Sequence, residues 1–231
     1  STAKDSVGDK AKIIAGTGTY STRESIEYTK MANDIGVDGI MIVTPYYSKP
    51  SQFGILKHFE QISKNTDLPI MAYNIPGRTA TLIEIETLEK LVDDIGIHSI
   101  KDAVGDLEFS KNELEALKGK VDIYSGNDGE TIEFMKMGGK GVVSVASHVV
   151  GNEIYSLINY VLNDEVESAE HLQNQLLPLF DLLFEEPSPG PVKYLLTKTW
   201  EDVGLPLMPI TDISSKLANK LLDNFQKIKN N

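Results

Sequence analysis

At 231 residues, 41% hydrophobic and 24% charged, the chain has ordinary globular composition and is long enough to bury a substantial core. A formal net charge of −12 with no basic patch argues against nucleic acid or an anionic membrane as a partner. The absence of cysteine removes disulfides, thiolate nucleophiles and cysteine-ligated zinc, and no apolar run approaches the roughly 20 residues of a membrane span.

The chain starts Ser1-Thr2-Ala3-Lys4-Asp5, which is polar and has no signal-peptide core, so the cytoplasm is the expected location. Lys12 to Gly18 reads as a strand and turn. Its Gly16-Thr17-Gly18 lacks the third glycine of a dinucleotide fingerprint and is taken as a tight turn. Ser21 with Glu24 forms a capping box for a helix that Gly36 ends. Gly39 to Val43 is an apolar strand leading to Thr44-Pro45-Tyr46-Tyr47, and Ile55, Phe59 and Ile62 mark one buried face of the next helix. Leu68 to Tyr73 is a third strand, closed by the turn-forming Asn74-Ile75-Pro76-Gly77-Arg78-Thr79. Leu82, Ile85, Leu88 and Val92 supply a helical stripe.

The stretch Ile97-His98-Ser99-Ile100-Lys101-Asp102-Ala103 is a buried strand that delivers a lysine at its end. Desolvating an ammonium costs several kcal/mol, so such a lysine is either paired or chemically employed, the latter as a free amine able to attack a ketone. Gly105 breaks the strand, a helix runs to about Lys118, and Val121 to Tyr124 starts a fifth strand. After a short helix, Gly141 to Val145 reads as a sixth. From there the strand signal stops. Helical stripes run through Ile154 to Val161 and Leu172 to Leu183, with a kink expected at Pro178; Pro191 opens a third helix and Ile213 to Ile228 mark the last.

Short apolar strands alternating with helices at intervals of about 20 to 30 residues argue for parallel βαβ units of a (β/α)8 TIM barrel. The fold class is thus α/β, with residues 1–150 as a partial barrel missing about two N-terminal strands. Residues 151–231 are the last barrel helix and a C-terminal helical appendage. A doubly wound open sheet is the alternative on pattern alone.

The segments Thr44 to Pro50, Tyr73 to Thr79, Ile100 to Asp106, Tyr124 to Asp128 and Phe184 to Lys193 resemble, in order and spacing, the dihydrodipicolinate synthase and N-acetylneuraminate lyase family of class I pyruvate aldolases. The resemblance implies condensation of pyruvate with aspartate semialdehyde through a lysine Schiff base, a step of lysine and diaminopimelate biosynthesis. It implies Lys101 as that lysine, Tyr73 as proton shuttle, and Tyr47 as a residue reaching across a subunit interface of a homo-oligomer, dimer or tetramer. Arg78 is implied as the clamp for the aldehyde substrate's carboxylate, Gly126 and Val143 as lining of the pyruvate pocket, and Tyr20, Glu24 and Tyr46 as remnants of an effector site. No metal or organic cofactor is implied.

Taken singly, a strand-end tyrosine usually packs, a loop arginine is usually solvated, and His98, His148, Glu185 and Glu186 read as structural or solvated. Their convergence at strand ends favours function. The family's Gly-Thr-Thr-Gly-Glu-Ser segment, which supplies a hydroxyl relay and donors for the pyruvate carboxylate, has no counterpart here. The expectation is therefore weak activity and no lysine inhibition. Alternatives are a 2-keto-3-deoxy sugar acid aldolase or N-acetylneuraminate lyase activity, or a catalytically silent oligomer component. Arg78 favours a short carboxylated aldehyde over a neutral sugar.

Overall fold

Residues Ser1–Asn230 are described by a computed structural model and form two units. The first comprises Ser1–Gly126 with Met137–Lys140, and the second comprises Asn127–Lys136 with the residues from Gly141 onward.

In the first unit a short helix α1 (Thr2–Val7) occupies the polar start. Five parallel strands follow: β1 (Ile14–Gly16), β2 (Gly39–Val43), β3 (Ile70–Asn74), β4 (Ser99–Asp102) and β5 (Asp122–Ser125). They lie side by side in chain order, β1-β2-β3-β4-β5, the succession of strands in a (β/α)8 barrel. Between them run α2 (Thr22–Ile35), α3 (Gln52–Ser63), the single turn α4 (Pro76–Thr79), α5 (Ile85–Lys90) and α6 (Leu107–Ala116). The helices keep the same succession, α2 packing on α3, α3 on α5 and α5 on α6.

Local chemistry accounts for these boundaries. The Ser21 hydroxyl accepts from the Glu24 N–H at 3.4 Å, and Gly36 closes α2 in the left-handed region at φ 75°. Ile55, Phe59 and Ile62 are fully buried on α3, each stabilising by about 2 kcal/mol. No turn forms at Gly16-Thr17-Gly18; Gly18 is required instead by close approach to the neighbouring strand. A Cβ there would sit 2.5 Å from the Val43 nitrogen, inside the backbone of β2. The stripe after Leu82 ends differently from a regular helix, because Leu91–Ile95 widens into a π turn before Gly96.

The second unit holds α7 (Thr131–Lys136), α8 (Ser147–Leu162), α9 (Val166–Leu182), α10 (Gly190–Thr199) and α11 (Ser215–Lys229). The stripes meet in one core containing Ile154, Leu176, Phe180, Leu195, Leu217 and Leu221. Two expectations need correction. Gly141 to Val145 forms no sixth strand; only Val142 makes an isolated bridge. The N–H groups of Val145 and Ala146 are bound instead by the Asp128 carboxylate, at 3.2 and 3.1 Å, which removes them from any ladder. The helical break falls at Val150 (φ −129°, ψ 44°) rather than at Pro178, through which α9 continues. Glu185 and Glu186 are not merely solvated: Glu185 pairs with Lys220 at 2.7 Å, and Glu186 accepts from the Ser214 N–H and hydroxyl at the start of α11.

Candidate active site

Parallel register sets Tyr73 of β3 beside Lys101 of β4, and Lys101 beside Tyr124 of β5. Lys101 is 9% exposed, and its Nζ lies 4.1 Å from the centroid of the Tyr73 ring. That contact with the ring face fixes where the lysine's reactive end points. Room for the lysine stem comes from Gly126. A Cβ at that position would meet the Lys101 Cε at 2.9 Å and the Ala103 Cβ at 2.6 Å. Its N–H donates to the Asp102 carbonyl at 2.5 Å, holding the residue after β5 against the end of β4.

Two buried polar residues hold Tyr73 and its neighbours. The Thr44 N–H and hydroxyl both donate to the Tyr73 carbonyl at 3.0 Å, using its two lone pairs. Asn74, fully buried, accepts from the Ile83 N–H and donates to the Ile83 carbonyl, each at 3.0 Å. That clasp closes the loop carrying α4 and Arg78. Thr79, 2% exposed, shares its hydroxyl between the carbonyls of Ile75 and Thr81.

Tyr73 and Arg78 line one cavity of about 390 Å³ together with Gly16, Gly18, Met41, Val43, Tyr46, Ile75 and Thr79. Burial raises the Tyr73 phenol above its usual value, and the positive charge of Arg78 opposes the shift. The phenol is thus a proton donor at neutral pH, on a ring that lies under the Lys101 nitrogen and borders the cavity shared with Arg78.

The remaining sequence candidates fall in different places. Tyr46 lines the cavity and meets Tyr20 edge to face, with ring centroids 5.7 Å apart. Glu24 accepts from the Thr19 hydroxyl at 3.4 Å. Tyr47 does not line the cavity; it is 92% exposed with φ 69°, a left-handed backbone uncommon for a bulky residue. Val143 is half-buried in the second unit, in the stretch before α8. His98 accepts from the Ile70 N–H and His148 bonds to the Val145 carbonyl, so both serve structure. Among the described residues no group of three or more His, Asp or Glu side chains is placed to hold a metal ion, and no helix is long and apolar enough to cross a membrane.

One feature is absent from the sequence reading. Asp102, 3% exposed, and Glu113, fully buried, face one another between β4 and α6. A signal existed: Ser110, Glu113 and Leu114 form the buried stripe of α6, continued by its cap Leu117, so a carboxylate occupies an apolar position.

A sequence profile described as the dihydrodipicolinate synthetase family matches residues 1–228. The chain is 45% identical over 213 residues to a 4-hydroxy-tetrahydrodipicolinate synthase of Halalkalibacterium halodurans, covering 91% of this chain and 72% of that protein. Among solved structures it resembles a dihydrodipicolinate synthase of Bacillus anthracis (TM-score 0.93, 40% identity, 96% of this chain and 76% of that one). It also resembles the lysine-bound enzyme of Cyanidioschyzon merolae (TM-score 0.94, 38% identity, 98% and 77%).

Proposed function

Because the chain belongs to the dihydrodipicolinate synthetase family, we propose that its site captures pyruvate as a Schiff base on Lys101 and condenses it with aspartate semialdehyde. The observation that carries the reading is the buried Lys101 amine against the Tyr73 ring, with the space for its stem kept open by Gly126. The Lys101 nitrogen attacks the pyruvate ketone carbon to give a carbinolamine, and loss of water leaves an imine. Removal of a methyl proton then gives the enamine, whose carbon attacks the aldehyde. The protein thereby provides its own electron sink.

Tyr73 serves as the acid that gives a proton to the departing hydroxyl and takes one back, a task for a group that both donates and accepts. Its protonation at neutral pH suits the donor half of that cycle. Arg78, on the cavity shared with Tyr73, is the partner for the aldehyde substrate's carboxylate through its planar fork. This favours a short acidic aldehyde over a neutral sugar. Gly126 completes the lining on the Lys101 side in this reading.

Tyr47 is assigned to contact with a second copy. Its side chain is held outward by a strained backbone, the pattern expected when structure is retained for function rather than stability. These 231 residues assayed alone are expected to turn over slowly, since none of them supplies the hydroxyl relay that the resemblance assigns to the Gly-Thr-Thr-Gly-Glu-Ser segment. The test is borohydride reduction in the presence of pyruvate, followed by peptide mass spectrometry. An adduct on Lys101 is expected; a folded sample with no adduct, or with one on another lysine, would overturn the assignment.

A further inference from the structure

Successive side chains of a strand point to opposite faces, so Asp102 turns away from the face carrying Lys101 and toward α6. Its Oδ1 accepts from the Val104 N–H at 2.8 Å and its Oδ2 from the Ser110 hydroxyl at 2.5 Å. Glu113 follows Ser110 by three residues on the same face of the helix. No amide, hydroxyl or cation satisfies either of its oxygens, and the group it meets is the Asp102 carboxyl. Two ionised carboxylates held so close in an apolar setting repel one another, whereas a proton on one makes it a donor to the other.

We infer that this pair holds a single proton, carried by Glu113 and donated to Asp102, and that Glu113 is thereby a positioning residue for the Lys101 end of β4. The positioning half rests on the reading of Lys101 as the imine-forming residue. Its route is short: the Asp102 carbonyl takes the Gly126 N–H, so the brace acts on the backbone carrying both Lys101 and Gly126.

The local field agrees with the geometry. Burial, then the charge of Asp102, lifts the Glu113 carboxyl well above the usual carboxylate range. Burial also raises Asp102, with the Ser110 hydroxyl opposing and Asp106, in the loop before α6, adding to the rise. The ionisable residues of α5, which packs on α6, are Glu86, Glu89 and Lys90, and none of them contributes to the field at Glu113. A carboxyl raised in the folded state favours folding fully below its unfolded value of 4.5 and loses that contribution as pH rises through the folded value.

The experiment compares wild type, Glu113→Gln and Glu113→Ala by thermal unfolding and by the rate of borohydride trapping with pyruvate, from about pH 5 to about pH 9. Glutamine is a neutral donor of the same shape. It is expected to trap within about twofold of wild type near pH 6, and to gain melting temperature over wild type as pH rises. Wild-type trapping should fall at the alkaline end, and trapping by Glu113→Gln should not. Alanine removes the donor to Asp102 and is expected to slow trapping by about tenfold or more, a loss that glutamine does not show. Equal dependence of melting temperature on pH in wild type and Glu113→Gln would overturn the shared proton. Equal pH profiles of trapping in those two would overturn the positioning role, as would unchanged trapping in a folded Glu113→Ala. If wild type itself forms no Lys101 adduct, the imine reading fails and the positioning role with it, while the melting comparison still decides the proton.

Discussion

Gly126→Ala would test the geometry around Lys101 most directly. The added methyl meets the Ala103 Cβ at 2.6 Å, the Lys101 Cε at 2.9 Å and the Asp102 carbonyl oxygen at 3.1 Å. Carbon atoms pack best about 3.5 to 4.0 Å apart, so each carbon contact is short by roughly 1 Å. The lysine stem can swing aside, but Ala103 is anchored by its N–H to the Asn74 carbonyl at 2.9 Å and can yield only with β4. Overpacking of this kind costs about 1 to 3 kcal/mol. Urea denaturation should register that loss as a lower midpoint at unchanged slope. Displacing the amine by about 1 Å should also slow borohydride trapping by pyruvate roughly 100-fold. An alanine variant with wild-type midpoint and wild-type trapping would show that Gly126 does not shape the space for the lysine.

Tyr73→Phe keeps the ring that faces the Lys101 nitrogen and removes the phenol, so the fold should persist while imine formation slows by roughly 10²- to 10⁴-fold in rapid-quench trapping; equal rates would remove Tyr73 from the proton path. Arg78→Ala should leave trapping of pyruvate within a few-fold and abolish the effect of added aspartate semialdehyde on the trapped intermediate, and the Tyr73 phenol should titrate higher by ultraviolet absorbance because the opposing charge is gone. His58 is lowered to about 4 by burial, with its Nδ1 against the Thr22 hydroxyl. Its contribution to stability is present above 6.5 and is lost as pH falls toward about 4, at most about 3 kcal/mol. His58→Gln should lack that loss in urea titrations at pH steps across the window, and parallel curves would refute it. Tyr47→Ala should leave unfolding within about 0.5 kcal/mol, because the side chain is 92% exposed, yet shift sedimentation toward smaller species.

Much of this architecture was legible because it rests on local chemistry. The Ser21 cap, the Gly36 stop and the Ile55, Phe59 and Ile62 stripe are each written within a few residues. Lys101 could be singled out because a lysine closing an apolar strand contradicts its surroundings. Gly141 to Val145 misled for the same reason: its composition is that of a strand, but the fate of its N–H groups was decided by Asp128, many residues earlier in the chain. Pairings such as Glu186 with Ser214 likewise depend on tertiary approach, which no periodicity encodes. Glu113 was overlooked because charge on a helix ordinarily marks the solvated face, and only its place among Ser110, Leu114 and Leu117 betrayed burial.

The sheet order bears on how the first unit assembles. Every strand pairs with the next strand in the chain, and the paired residues are close in sequence, from 23 apart for Ser99 with Asp122 to 30 apart for Ile40 with Ile70. Loop-closure entropy grows only as about (3/2)RT ln n, so each successive pairing is opposed by nearly the same amount and none waits for distant segments to meet. Such low contact order places the folding of this unit toward the fast end for parallel sheets. A chain emerging from the ribosome can thus lay down each strand against the one just made, shielding apolar surface as it is synthesised.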